Sequence, residues 1–290
     1  MAATYPLFEY RPPNNELNDD AESDKATMSI IEKANDLTFR LIKVRGHENP
    51  PFSPFEYTKL LNIEVNKADL HETSAVLLKI KNGYLITLNH KHNLARQNFS
   101  CAHEIGHMLL SEVEPYIQDV EFRTFKPQAV RVARQRAKER LCDIAATELL
   151  MPKNIFRRYL LNIGGSINSI EKLAAKFNVS IQAAAIRVSE VSLEPCITLI
   201  WKPLPKNKPK KLVLPSHIGT RKSSNKNNYV PKVTKVLPKE TLYQAYQTDR
   251  YIKSRKDIVI DNTTKRLNLE SKGFGTNEKR YVVSFAYIDR

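Results

Sequence analysis

The chain has 290 residues, 41% of them hydrophobic, and a net charge of +15. That length holds one large domain or two small ones, and the hydrophobic content is ordinary enough to build a core. There is no basic-then-apolar leader and no apolar run long enough to span a bilayer, and the three scattered cysteines, Cys101, Cys142 and Cys196, argue against a disulfide framework, so a cytoplasmic protein without a membrane partner is expected.

Residues 1–25 are polar, acidic and proline-bearing, the composition of a disordered segment. Met28, Ile31, Ala34, Leu37 and Leu41 recur at helical spacing, which predicts an amphipathic helix over 26–45. A proline-rich loop at 50–54 leads into a short helix through Leu60-Leu61. The β-rich runs 75–80 and 84–88 flank Asn82-Gly83 and predict a hairpin.

From about Arg96 a helix carries His103-Glu104-Ile105-Gly106-His107, an H-E-x-x-H pattern inside an apolar run. Residues four apart project from one helix face, so both imidazoles can ligate one metal ion. Glu104 lies roughly 100° round the helix, beside the ion, where it can take a water's proton as general base. An ionisable trio in an apolar helix is costly unless it has partners. Gly106 costs such a helix about 1 kcal/mol, and close approach of a second helix would explain it.

Residues 113–131, with Pro115 and Pro127, read as a loop, and 131–150 as a second helix ended by Met151-Pro152. On it Glu139 and Asp143 share a face. Glu139 is the candidate third ligand, although a solvated charge among Arg136, Lys138 and Arg140 is the plainer fate for such a residue. Asp143 can accept the second N–H of a ligating histidine, His103 by preference. Glu148, nine residues beyond Glu139, is expected to cap or to face solvent. Cys101 and Cys142 flank the motif in sequence and read as core thiols before ligands.

Residues 166–191 read as helix–turn–helix, with Asn168 and Glu171 resembling a capping box and Ser180 as the second N-cap. The early positions of the second helix, Ile181, Gln182 and Ala183, offer a single base-reading side chain, which favours a packing or docking role over DNA reading. Beyond residue 195 the texture changes. From Cys196 to Arg290 there are 21 Lys+Arg against 7 Asp+Glu, a net of +14, leaving +1 for the rest. Strands at 197–201 and 281–287 and the Lys-rich stretches between them indicate a small basic α+β module, 196–290. Lys208, Lys210, Lys211, Arg221 and Lys222 are its candidate nucleic-acid contacts.

The segment 96–110 resembles the active-site helix of the ImmA/IrrE metallopeptidases. The stretch 139–152, an acidic residue and a following Asp before Ala-Ala-x-x-Leu-Leu-Met-Pro, resembles that family's second signature. The resemblance extends weakly over about 30–200. It implies a zincin-like α+β domain related to the thermolysin-like enzymes, over 26–195 and including the helical pair. By matching position it implies His103, His107 and Glu139 as metal ligands and Glu104 as general base. Cys142 stands where the family usually has Ala, and Ile144 where it often has an aromatic residue. In related zinc peptidases a strand just upstream of the active-site helix is the edge on which an extended substrate lies. The strand 84–88, with Tyr84, Ile86 and Leu88, is the candidate, although an ordinary paired strand reads almost as well.

The expected function is an intracellular metal-dependent endopeptidase, with zinc as the default ion and manganese as the alternative. The resemblance implies a narrow substrate range, typically a helix-turn-helix repressor. The competing expectation is a nucleic-acid-associated regulatory or antitoxin-like protein whose metal site is structural or vestigial. The basic tail favours it, and the intact Glu104 opposes it.

Overall fold

The computed structural model describes residues 20–111, 127–203, 212–220, 233–236, 239–260, 263–276 and 279–288. Its fold is α+β, and the chain divides into two compact units. The expected nucleic-acid contacts Lys208, Lys210, Lys211, Arg221 and Lys222 lie outside the described residues, as do residues 1–19 and the greater part of the 113–131 stretch.

The first unit comprises Asn15–Ile155 with Lys176–Val179. Helix α1 (Asp20–Arg45) buries Ala26, Ile30, Ala34, Leu37 and Leu41. The apolar stripe therefore runs through Ala26 and Ile30, and Met28, expected on it, is exposed. Helix α2 (Pro54–Leu60) starts at a proline, whose missing N–H costs nothing there. Strands β1 (Ile63–Ala68), β2 (Ala75–Ile80) and β3 (Gly83–Asn89) form a three-stranded sheet in the order β1-β3-β2. The hairpin turn is Lys81-Asn82, one residue earlier than the Asn-Gly signal suggests. Gly83, at φ +144°, already pairs with Ile80 as the first residue of β3.

Helix α3 (Leu94–Ser111) carries the H-E-x-x-H motif and packs against β2, β3 and helix α4 (Pro127–Leu150). Helix α4 begins at Pro127, so the last residues of the expected loop are helical; proline is well suited to a first turn. Its other end is pinned by Tyr57, fully buried, whose hydroxyl donates to Leu149 O at 2.9 Å and lies 3.0 Å from Thr38 Oγ1. One phenol thus ties α1, α2 and α4 together.

The second unit comprises Phe156–Ala175 and Ser180–Arg290. The units part near residue 155, and the helical pair falls with the C-terminal sheet except for its turn, Lys176–Val179, which falls with the first unit. Helix α5 (Lys153–Ile163) precedes the pair α6 (Ile167–Phe177) and α7 (Ile181–Val191). Ser180 caps α7, accepting from Ala183 N at 3.1 Å. Helix α6 is capped by Ser166, whose Oγ accepts from Ser169 N at 3.0 Å, and not by Asn168. Glu171 is spent elsewhere, in an ion pair with Lys272 at 2.6 Å.

Strands β4 (Cys196–Pro203), β5 (Leu212–Thr220), β6 (Val233–Val236), β7 (Ile252–Ile260), β8 (Thr263–Phe274) and β9 (Tyr281–Tyr287) form one antiparallel sheet in the order β5-β4-β9-β8-β7-β6. Alternation along β4 divides its faces. Ile197, Leu199 and Trp201 join a core with Leu242 and Ala245 of helix α8 (Lys239–Thr248). On the other face Ile200 packs with Ile186 of α7, and Thr198 Oγ1 lies 2.6 Å from Ser189 Oγ. Helix α7 accordingly buries Ala184 through Ser189 and Val191. Ile181, Gln182, Ala183 and Glu190 are its partly exposed positions.

Candidate metal centre

Three side chains meet where α3 crosses α4. His103 Nε2 lies 3.2 Å from Glu139 Oε2, and His107 Nε2 lies 3.8 Å from the same oxygen. Donors about 2.1 Å from a tetrahedral zinc ion stand roughly 3.4 Å apart, so these separations are those of one coordination sphere. Two imidazole nitrogens and a carboxylate oxygen, with a fourth position left for water, are the donor set of a hydrolytic zinc site. The residues fit a divalent ion.

The surrounding groups orient these donors. Asp143 Oδ1 accepts from His103 Nδ1 at 2.9 Å, the bond that leaves Nε2 free to ligate. Gln135 Nε2 donates to Glu139 Oε1 at 2.6 Å, fixing the carboxylate from one helical turn away. Cys142 Sγ lies 3.3 Å from His107 Nδ1. Neither the role of Gln135 nor the approach of Cys142 to His107 is among the expectations drawn from sequence. The i,i+4 spacing of Gln135 and Glu139 is a usable signal, whereas nothing in the sequence points the thiol at His107.

Glu104, Glu139 and Asp143 surround two imidazoles, and the electrostatics follow. Burial works to lower His103, but its hydrogen bonds to Asp143 and Glu139 outweigh that and hold it up at about 10. Burial lowers His107, and the neighbouring His103 charge adds to the effect. Burial opposes the charge on Glu139, yet the bond from His103 keeps its carboxyl below the usual range. Glu104 is lifted by burial and by Glu139, against the pull of His103. Burial lifts the Cys142 thiol well above its ordinary value and the Cys101 thiol to about 12. Three carboxyl groups around two imidazoles make a site that attracts positive charge.

Gly106 is where the two ligand helices touch. A Cβ there would stand 2.9 Å from Cys142 O, 3.0 Å from Cys142 Cα and 3.2 Å from Ala145 Cβ. Two of these atoms are helix backbone and cannot swing aside. We expect Gly106→Ala to lose about 1–3 kcal/mol by overpacking, more than the roughly 1 kcal/mol that alanine's helix propensity returns. Zinc affinity should fall with it, because α3 carries the histidines and α4 the carboxylate. Melting curves and zinc titration check this. A variant that melts higher and binds zinc unchanged would remove the steric account.

One of the expectations needs correction. The strand holding Tyr84, Ile86 and Leu88 is not an edge. β3 pairs with β1 on one side and β2 on the other, and Ile86 and Leu88 are fully buried. Within this sheet the edge strand packed against α3 is β2. Arg96 of α3 also reaches the residue before it, donating to Ser74 Oγ at 2.9 Å. Of the two fates expected for Glu148, capping and not exposure is found: it is buried, and its Oε2 accepts from Lys153 N at 3.2 Å at the start of α5.

Residues 58–189 match a peptidase family model described as the IrrE N-terminal-like domain. The chain is 28% identical over 119 residues to the radiation response metalloprotease IrrE of Deinococcus radiodurans, covering 41% of this chain and 35% of that protein. It is 28% identical over 114 residues to the protein of the same name from Deinococcus deserti, covering 39% of each. The matches thus span little more than a third of those relatives. A solved structure described as a Mycobacterium tuberculosis transcriptional regulator has a similar fold, with a TM-score of 0.56 and 14% identity, covering 92% of this chain and 81% of that one. Among the described residues no helix is long and apolar enough to cross a membrane.

Proposed function

We propose that the chain, whose residues 58–189 match the IrrE N-terminal-like domain, is a metal-dependent endopeptidase of the ImmA/IrrE type acting on a regulatory protein, with a helix-turn-helix repressor as the substrate class. The observation that carries the reading is the convergence of His103 Nε2, His107 Nε2 and Glu139 Oε2 beside Glu104. A bound divalent ion, zinc by its donors or manganese, supplies Lewis-acid activation of water and of the peptide carbonyl.

The residues of the chain do the rest. Glu104 takes the proton of the attacking water as oxygen bonds to the carbonyl carbon. It then delivers that proton to the leaving amine as the C–N bond breaks. Asp143 and Gln135 hold His103 and Glu139 in position. Among the described residues no strand pairs with the outer edge of β2, which is suited to receive an extended substrate through main-chain hydrogen bonds. The test is co-expression with helix-turn-helix repressors of the same organism, with intact-mass detection of one internal cut that a chelator prevents. Repressors left whole by a metal-loaded protein would sink the reading.

The net +14 of residues 196–290 favours a second property, salt-sensitive and sequence-tolerant DNA binding near a DNA-bound substrate. Replacing Lys208, Lys210, Lys211, Arg221 and Lys222 by Gln should flatten the dependence of DNA affinity on salt by about 0.9 in log–log slope for each phosphate no longer neutralised. An unchanged slope would remove these residues from the interface. Deletion of 196–290 is the poorer experiment. It would also strip α6 of the Glu171–Lys272 ion pair and α7 of its cover on β4.

A further inference from the structure

We propose that Cys142 is a positioning residue of the metal centre: its sulfur accepts the Nδ1–H of His107 and holds that ring with Nε2 turned toward the ion. The inference rests on the metal-centre reading above and goes beyond its ligand set. An imidazole that ligates through Nε2 carries its proton on Nδ1, and that proton needs an acceptor. For His103 the acceptor is Asp143. For His107 the atom in place is Cys142 Sγ, at 3.3 Å, a weak acceptor but a correctly placed one.

The thiol is held there by the packing of the two helices. Cys142 is fully buried, and its Cα and carbonyl oxygen are the atoms that crowd Gly106, the residue before His107. The close approach that excludes a Cβ at 106 also brings Sγ to the His107 ring.

The alternative is that sulfur itself ligates, since donor atoms of His103, His107 and Cys142 lie within 4.8 Å of one another. Ring geometry argues against it. The two nitrogens of an imidazole point in divergent directions. Sγ faces Nδ1 of His107, whereas Glu139 faces Nε2. One ion cannot sit on both sides of the ring, and the Nε2 side already gathers three donors. The centre is therefore asymmetric, with a carboxylate behind one histidine and a sulfur behind the other.

The test uses the full chain, titrated with zinc and cobalt against a competing chelator. Cys142→Ala should bind zinc about tenfold more weakly, the lower end of what an outer partner contributes. Cys142→Ser should recover part of the loss, because a hydroxyl can take the same N–H. Cys196→Ala, a thiol removed from the second unit, should bind as the wild type does. Wild-type protein loaded with cobalt should lack a sulfur-to-cobalt charge-transfer band, while its visible bands shift in Cys142→Ala. Unchanged zinc affinity in Cys142→Ala overturns the proposal. So does a charge-transfer band that Cys142→Ser abolishes, which would make sulfur a ligand, and so does a wild-type chain that binds neither metal. A chain that shows the Cys142 dependence but cleaves no peptide keeps this inference and loses the peptidase reading.

Discussion

Glu104→Gln should lower turnover of a cleaved substrate by about 10²–10⁴-fold, the usual contribution of a general base, while zinc still binds at full stoichiometry. The amide preserves the size and shape of the side chain but cannot accept a proton from water. The ligand atoms belong to His103, His107 and Glu139, so the donor set is untouched. Glu104 also lies in the field of His103 and Glu139, so removing its charge will change zinc affinity slightly, in the weaker direction. The measurement pairs zinc stoichiometry with the rate of substrate cleavage. Cleavage near the wild-type rate would dismiss Glu104 as the base. Loss of zinc together with activity would make it part of the ion's coordination instead.

The parts of this centre written in local spacing were legible in the sequence. The i,i+4 pairs His103/His107 and Glu139/Asp143 each fix two side chains on one helix face, and Gly106 by itself points to a second helix close by. What was not legible depends on neighbours remote in sequence. Strand 84–88 has the right composition for an edge, but strand order is set by how β1 returns to pair with it in parallel. Nothing within the strand encodes that. Cys142 reads as a departure from an alanine and acquires meaning only from the 3.3 Å approach of its sulfur to His107 across two helices. The stripe of α1 was displaced because Ala26 and Ile30 are the residues its neighbours cover, a fact that periodicity leaves degenerate. The helical pair was legible as helices, and even Ser180 as a cap. Its burial on β4 belongs to a sheet completed about a hundred residues later, at β9.

Glu139→Ala should cost zinc affinity more than the roughly 10–100-fold expected of Asp143→Ala, since it removes a donor and not merely the partner of one. The effect has a readout independent of any substrate. Zinc at about 100 times its dissociation constant stabilises the native state by about 2.7 kcal/mol, and that rise in melting temperature should vanish in Glu139→Ala at the same zinc concentration. Glu148→Ala provides the contrast on the same helix. Its carboxylate accepts from Lys153 N and is buried, so its loss leaves an N–H without its acceptor and should cost about 1–3 kcal/mol of stability. The zinc-dependent shift should survive in full, because Glu148 lies nine residues, about 13 Å of helix, beyond Glu139. The two variants therefore separate along different axes. One melts much as the unliganded wild type does and ignores zinc; the other melts lower and still responds to it. If Glu148→Ala loses the response and Glu139→Ala keeps it, the third ligand has been misassigned and the convergence of Oε2 with the two imidazoles is only a hydrogen bond.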